Sequence, residues 1–513
     1  EYSYEDGKKG VKFSYGGSTN PGELDTMDTS TYALYFTENG SSPYQLAQKG
    51  SLYCLDELIN LELPGESKSI LDKINDEAVK SSLKGSDGHF YALPHFEWYP
   101  GLVYDIDTFE NKGFYIADSS ETSNIEAYEC EFGSLNFIKK GALDSTKKSC
   151  GNDGIYGNED DGLPTSMVEF LVLCQYMAEN GVTPFALTGH HADYSSHLMT
   201  ALLSAFLGDK MEGIYSFSGT YDIVTGFSDE NLFEGIDYIK KPITESVTIT
   251  EENGYLVRSI KERYYAAVII EIAEKEGWFN KDSTSTAVTN LIAQYDFIMG
   301  PRNTGDFKPC GFLLEGSYWY VESDREYVFD DYKRFTNKDR KIGWMSVPTS
   351  LYEPVTEGNG RLTRLVNLAN SYCLVNKKVV EANEGLLQAV KDFVLFLYTE
   401  EELQKFTATT GEAKAGIDYD YTSEYVFSNI SPYEQSVLNM KKNNSVIMEY
   451  STSTYFLLNQ VSLRYGIDSP VNKPVINNIS YLCYLLAIRK NSTAAECFEA
   501  TKISADKWAS MAH

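Results

Sequence analysis

At 513 residues and 42% hydrophobic content, the chain is long enough to bury more than one core. A formal net charge of −30 argues against nucleic acid and anionic membrane as partners, because both require basic surface. No run approaches the roughly 18 apolar residues of a membrane span.

Tyrosine outnumbers phenylalanine, 38 to 26, an excess of rings with one polar end. Such rings suit carbohydrate, which has an apolar face and a hydroxyl rim, although most of them equally suit sheet edges and helix surfaces. Eight cysteines are few for this length and show no CxxC spacing. Cys174, Cys373 and Cys483 fall in apolar periodic stretches and read as buried thiols. Cys130 and Cys150 bracket a polar insertion and could pair.

The chain starts Glu1-Tyr-Ser-Tyr-Glu-Asp without Met, basic region or apolar stretch, as a trimmed mature segment does. GVKFSYGG and STYALYF read as strands, and Glu38–Pro43 as the loop after the second. Residues Ile116–Asp161 form a polar, Gly- and Ser-rich insertion that ends in an acidic, Gly-punctuated run. There Asp153, Asp160 and Asp161 resemble the ligands of a calcium loop, in which carboxylates and carbonyls surround a hard cation. No D-x-[DN]-x-[DN]-G run is present, however, and a solvated acidic turn explains the same residues.

The stretch Asp161–Gly189 is the most punctuated of the chain. Ser166 with Glu169 forms a capping-box pattern, which satisfies orphan amides of a first helical turn. Phe170, Cys174, Met177 and Ala178 follow at helical spacing, and Asn180-Gly181 supplies the stop. Pro-Phe-Ala-Leu-Thr-Gly then reads as a short strand running into the loop His190–Tyr194. Ligands of α/β sheets collect beyond the carboxyl ends of strands, which makes that loop a candidate binding element. Further on, YLVRSIKERYYAAVIIEIAEKEGWF predicts a helix with Leu256, Ile260, Tyr264, Val268 and Ile272 on one face, stopped by Gly277. More amphipathic helices follow between Tyr425 and Tyr484, broken by Pro470 and Pro474. Helices alternating with short apolar strands indicate an α/β class.

The segment LPTSMVEFLVLCQYMAENGVTPFALTG resembles the P-T-T-[WY]-[DE]-E-F … G-x-T-P-F-A-L-T-G signature of the family 1 extracellular solute-binding proteins, the sugar receptors of bacterial ABC importers. Four more segments match in the family's order. Phe90–Phe114 is similar to its Y-x-L-P … Y-N-x-x-x-F-x-x-x-G crossing, and Gly311–Ser323 to its N-G-S-W-W-E loop. Lys341–Thr349 resembles F-G-W-M-P-L-P, and residues 371–415 resemble its late helix and chain turn. The family's opening strand and first long helix are hard to find here.

The resemblance implies a two-lobed, periplasmic-binding-protein-like (Venus flytrap) α/β fold with the ligand cleft between the lobes. It implies an N-terminal lobe of residues 1–104 plus 342–400. The C-terminal lobe takes 105–341 plus 401–513, including the insertion 116–161. The implied function is capture of an oligosaccharide and its delivery to a membrane permease, by a monomer that breaks no bond and needs no cofactor. The implied location is the cell surface, outside the membrane, with a lipid anchor on a removed N-terminal segment.

Candidate ligand contacts follow from the loops those motifs place at the cleft. Trp98 and Tyr99 precede the first crossing, where a hydrophobic plug is the other explanation. His190, His191 and Tyr194 end the signature strand; adjacent histidines on an extended chain face opposite ways, so one of the two would touch ligand. Tyr318 and Trp319 fall on the family's W-W pair, with core packing as the alternative. Trp344 suits packing at the second crossing better than ligand contact. Glu38 and Asn370 are polar candidates. The competing class is a secreted glycoside hydrolase with a carboxylate pair, for which Glu97 and Glu315 are the residues to watch. No G-x-S-x-G, H-E-x-x-H or phosphate-loop motif is present.

Overall fold

The computed structural model describes residues 2, 3, 10, 11, 16, 24, 26–37, 42–304, 308–361, 364–448, 453–463 and 473–511. Glu38 and most of GVKFSYGG lie outside the described residues.

The chain forms a mixed α/β structure around two sheets. The larger has four strands: β1 (Pro100–Asp105), β2 (Thr183–Ala186), β3 (Cys310–Gly316) and β4 (Ile342–Trp344), in the order β4-β1-β3-β2. β3 runs antiparallel to β1, with Phe312 opposite Tyr104, and parallel to β2, with Phe312 opposite Phe185. Every residue of β1, β3 and β4 is buried, the pattern of strands covered on both faces. The smaller sheet is antiparallel, with Tyr372–Val375 between Leu34–Phe36 and Ala92–Pro94.

Two large cores correspond to the two sheets. One spans residues from Trp98 to Trp508 and contains helices α1 (Met167–Glu179), α2 (Ser195–Leu207) and α3 (Lys261–Lys275). The other is built from residues 24–93 and 372–438. α1 follows its sequence signals: Ser166 N donates to Glu169 Oε2 at 3.0 Å and Glu169 N to Ser166 Oγ at 3.2 Å, closing the capping box. Gly181 with φ +73 then turns the chain into β2. α3 begins at Lys261 rather than at Tyr255, because Ile260 is extended and residues 254–259 wind as a 3-10 turn.

Residue 104 lies within β1, 342 starts β4 and 400 starts the helix Glu400–Thr410. β4 pairs with β1, so 342–344 belong with the larger sheet. Leu403, Ala415, Ile417, Tyr419 and Val426 pack into the smaller core, so the chain after 400 stays there. Segments 95–99 and 368–371 connect the two cores. They run side by side with residues 413–415: His95 N donates to Ser371 O at 3.0 Å, Glu97 N to Ala413 O at 3.1 Å and Leu368 N to Trp98 O at 3.3 Å.

The insertion is also more ordered than a polar loop. Ile125–Cys130 and Gly133–Ile138 form a hairpin whose Phe137 stacks on Tyr176 of α1, with centroids 4.3 Å apart and planes at 8°. Cys130 and Cys150 do not pair, and all eight cysteines are free. Among the described residues no helix is long and apolar enough to cross a membrane.

Candidate ligand-binding site

The aromatic candidates fall into two clusters, one shared with Leu102 and Tyr104 of β1 and the other with Val103. Trp98 packs on one side with Leu102, Phe312 and Leu314, and there it meets Tyr318 edge-on at 5.2 Å and 88°. Tyr99 points to the other side and shares a third cluster with Val103, Leu313, Trp319 and Trp344. Trp319 is wholly buried between Phe297, Phe329 and Tyr433 and packs as core. Trp344 lies against Gly101, where a Cβ would come within 2.7 Å of the indole, and it too is packing. Tyr99 donates its hydroxyl to Glu97 Oε1 at 2.7 Å and is likewise committed to the core.

The face carrying Trp98 gathers the remaining aromatic candidates. Residues Ala192–Tyr194 form a 3-10 turn, in which side chains three apart eclipse. His191 precedes this turn, Tyr194 ends it and His197 lies in the first turn of α2, and their rings stack in a column, at 5.1 Å and 20°, then at 4.7 Å and 26°. His197 meets Trp98 at 5.5 Å, and Tyr318 OH donates to Tyr194 OH at 3.2 Å. Gly316 makes this possible, because a Cβ there would come within 2.3 Å of the Tyr318 ring and 3.0 Å of Trp98. His191, Tyr194 and Tyr318 are part-exposed, whereas Trp98 is buried with its Nε1 unpaired among the described residues. His190 turns outward, its ring at 80° to that of His191 and its Nδ1 3.3 Å from Thr286 O. Asn370 is buried at the second crossing with φ +39, a left-handed conformation that asparagine tolerates.

Two buried titratable groups underlie this cluster. Burial pushes His197 down to about 3, against a backbone contact with Glu315. Burial pushes Glu315 up to about 8, helped by the charge of Glu322 and opposed by its bonds to Gln294 and Gly316. Gln294 Nε2 donates to both carboxylates at 3.1 Å. A histidine held neutral contributes stability that is present above its ordinary 6.5 and is lost as pH falls toward 3. A carboxyl held protonated contributes stability that is present below 4.5 and is lost as pH rises toward 8. Urea unfolding of Glu315→Gln is therefore expected to show a flatter stability loss from pH 4.5 to 8 than the parent. Each tenfold difference in proton affinity between folded and unfolded chain that the substitution removes is worth about 1.4 kcal/mol. An unchanged profile would mean that Glu315 ionises freely in the fold.

The other predicted sites resolve differently. Glu97 accepts from Tyr99 and is ion-paired with Lys441, which makes it a structural anion of the crossing. The acidic loop does not gather Asp153, Asp160 and Asp161 as ligands within 4.8 Å of one another. Instead Asp160 Oδ2 accepts from Asn152 N at 2.7 Å, Asp161 Oδ2 from Gly157 N at 2.6 Å, and Asp153 Oδ1 from Ile155 N at 2.8 Å. A groove of about 860 Å³ lies between the insertion hairpin and residues 354–357. Its Tyr156 ring is already covered by the Lys147 ammonium, 3.2 Å from the centroid.

No family model and no curated protein sequence matches the chain. Solved structures do match it over nearly its whole length. A chitin oligosaccharide binding protein aligns at 12% identity and TM-score 0.51, over 96% of this chain and 89% of its own. A structure from work on xylan utilisation by Caldanaerobius polysaccharolyticus aligns at 11% and 0.51, over 95% and 90%. A probable secreted solute-binding lipoprotein from Streptomyces coelicolor aligns at 10% and 0.50, over 94% and 87%. The chain has the two-lobed solute-binding-receptor fold. Among the residues reasoned from sequence, Trp98, His191, Tyr194 and Tyr318 come together in one aromatic cluster through His197, and Tyr99, Trp319 and Trp344 share another. His197 is the member that sequence reading missed, and the spacing H-x-x-Y-x-x-H from 191 to 197 was its signal.

Proposed function

We propose that the protein is the substrate-binding receptor of an ABC transporter and captures an oligosaccharide between its lobes. The observation that carries this reading is the aromatic column of His191, Tyr194 and His197 meeting Trp98 and Tyr318 beside the inter-lobe crossings. Part-exposed rings with polar edges provide a stacking surface for a sugar's C–H face and directed partners for its hydroxyls. Description of one structure of this fold as a chitin oligosaccharide binding protein supports the ligand class. Sugar would bind one lobe in an open form, and contacts to the second lobe would supply the differential affinity that drives closure. The closed form would dock on a membrane permease, from a cell-surface position held by a lipid anchor. The cycle needs no cofactor and breaks no bond.

A thermal-shift panel of chito-, xylo- and other oligosaccharides, with a peptide mixture as control, tests this. Ligand at about 100 times its dissociation constant is expected to add roughly 2.7 kcal/mol of stability. Tyr318→Ala is expected to abolish that gain and to leave the unliganded protein folded. Full retention of the gain in Tyr318→Ala would move the site away from the column. The hydrolase alternative draws on the protonated Glu315 near Glu322. It is separated by chromatography of the bound glycan, where product exceeding one equivalent of protein would overturn the receptor reading.

A further inference from the structure

Far from the aromatic column in sequence, two surface segments of the smaller lobe place a thiol, a carboxylate and an imidazole together. Among the described residues, Cys54, Asp56 and His89 are the one group of this kind whose donor atoms lie within 4.8 Å of one another. We propose that these three residues bind a divalent ion of the zinc class, leaving a coordination position open to solvent.

The donor set matches the ion. Thiolate and imidazole select borderline-soft metals, and a single carboxylate is common beside them, whereas calcium or magnesium would require several oxygens. Bonds of about 2.0–2.3 Å in a tetrahedral site put ligand atoms roughly 3–4 Å apart. His89 Nδ1 and Asp56 Oδ2 are 2.5 Å apart and share a proton. Separating them to admit a metal takes a small rotation of two side chains that are not packed in the core, and both His89 and Cys54 are exposed. Binding would release that proton and the thiol proton of Cys54.

The backbone around the three donors is fixed independently of any ion. Leu55 N donates to Phe90 O at 2.7 Å, and Phe90 N donates to Asp56 Oδ1 at 2.8 Å, so each segment grips the other beside the cluster. That second bond orients the Asp56 carboxylate with Oδ2 toward His89, as an outer-shell partner does in a metal site. The turn carrying His89 is closed by Gly85 N donating to His89 O at 2.9 Å, with Gly88 at φ +82. Asp87 Oδ1 accepts from His89 N at 3.1 Å, and its other oxygen accepts from Tyr91 OH at 2.7 Å, so Asp87 is a support and not a fourth ligand. A groove of about 370 Å³, lined by Cys54, Asp56 and Tyr91 with Lys377 and Glu381 on its other wall, leads to the cluster and gives the ion an entry path.

Titration of the full-length chain with cobalt(II) under reducing conditions tests the assignment. The expected result is one equivalent bound, with a thiolate-to-cobalt charge-transfer band and visible bands of tetrahedral intensity, all displaced by zinc. Cys54→Ser is expected to remove the charge-transfer band, and His89→Ala to weaken binding at least tenfold. Cys130→Ser, at the other cysteine that is not buried, is expected to change nothing. Circular dichroism of the metal-free variants should match the parent, since both replaced side chains are exposed. Absence of the band in the parent, or its survival in Cys54→Ser, would overturn the proposal, and neither outcome bears on oligosaccharide binding.

Discussion

Arg340→Met is expected to destabilise the protein by about 3–5 kcal/mol, the usual effect of leaving a buried partner charge uncompensated. The Arg340 and Asp105 side chains are 1% and 0% exposed. Their pairing is bidentate, Nη1 to Oδ1 and Nη2 to Oδ2, each at 2.8 Å. Arg340 also donates to Asp107 Oδ2 at 2.8 Å and to the carbonyls of Ile298 at 2.8 Å and Phe297 at 3.2 Å. Asp105 in turn ends β1 and caps the next helix by accepting from Thr108 N at 2.8 Å. The pair thus ties the end of β1 to the chain entering β4, which pairs with it. Urea unfolding at constant m-value measures the loss, and a change below about 1 kcal/mol would mean that water reaches the pair. The double variant Arg340→Met with Asp105→Leu should recover part of the loss but not all, because the helix cap disappears with Asp105.

Trp319→Ala is expected to cost about 3–5 kcal/mol through a cavity that its neighbours cannot fill. Phe297 and Phe329, each with its ring centroid 6.1 Å away, and Tyr433 at 5.6 Å are held by separate helices, so collapse around the missing indole is restricted. The companion expectation is that the ligand response survives in whatever fraction remains folded. Tyr318→Ala should behave in the opposite way, losing ligand response while retaining the fold. Adjacent residues with opposite phenotypes would separate core from site at the position where the sequence offers both rings as one pair. Loss of ligand response without loss of stability in Trp319→Ala would reverse the assignment.

Local signals carried the sequence reading well. Ser166, Glu169 and Gly181 bound α1 because caps and stops act within a few residues, and the strand into His190 followed from the same punctuation. The α/β class and the two-lobed receptor fold were legible for a related reason: several short motifs recur in one order. What sequence did not show depends on pairing at long range. β1 and β4 matched the family's crossing motifs, but the sheet they build is decided by their partners in 310–316 and in each other. Trp98 and Tyr99 looked equivalent but pack into different clusters. The column through His197 was hidden because its members come from three successive pieces of backbone: the residue before a 3-10 turn, the end of that turn and the first turn of α2. Cys54, Asp56 and His89 are too far apart in sequence to suggest a cluster.

The order in which the chain visits its two cores constrains how it can be made. It contributes residues 24–93 to the smaller core, passes into the larger one, returns to the smaller through 438, and finishes in the larger with Tyr455, Phe456, Tyr484, Phe498 and Trp508. During synthesis the first segment of the smaller core must therefore wait, with its apolar face uncovered, while the strands of the larger sheet emerge. Closing the smaller core joins segments separated by most of the larger one, an entropic cost that grows with the length of loose chain between them. A partly formed larger lobe reduces that length, because pairing Leu368 with Trp98 brings the two crossings to one place. Vectorial synthesis therefore favours assembly outward from the four-stranded sheet, with the smaller lobe gaining resistance to proteases only after that sheet has formed.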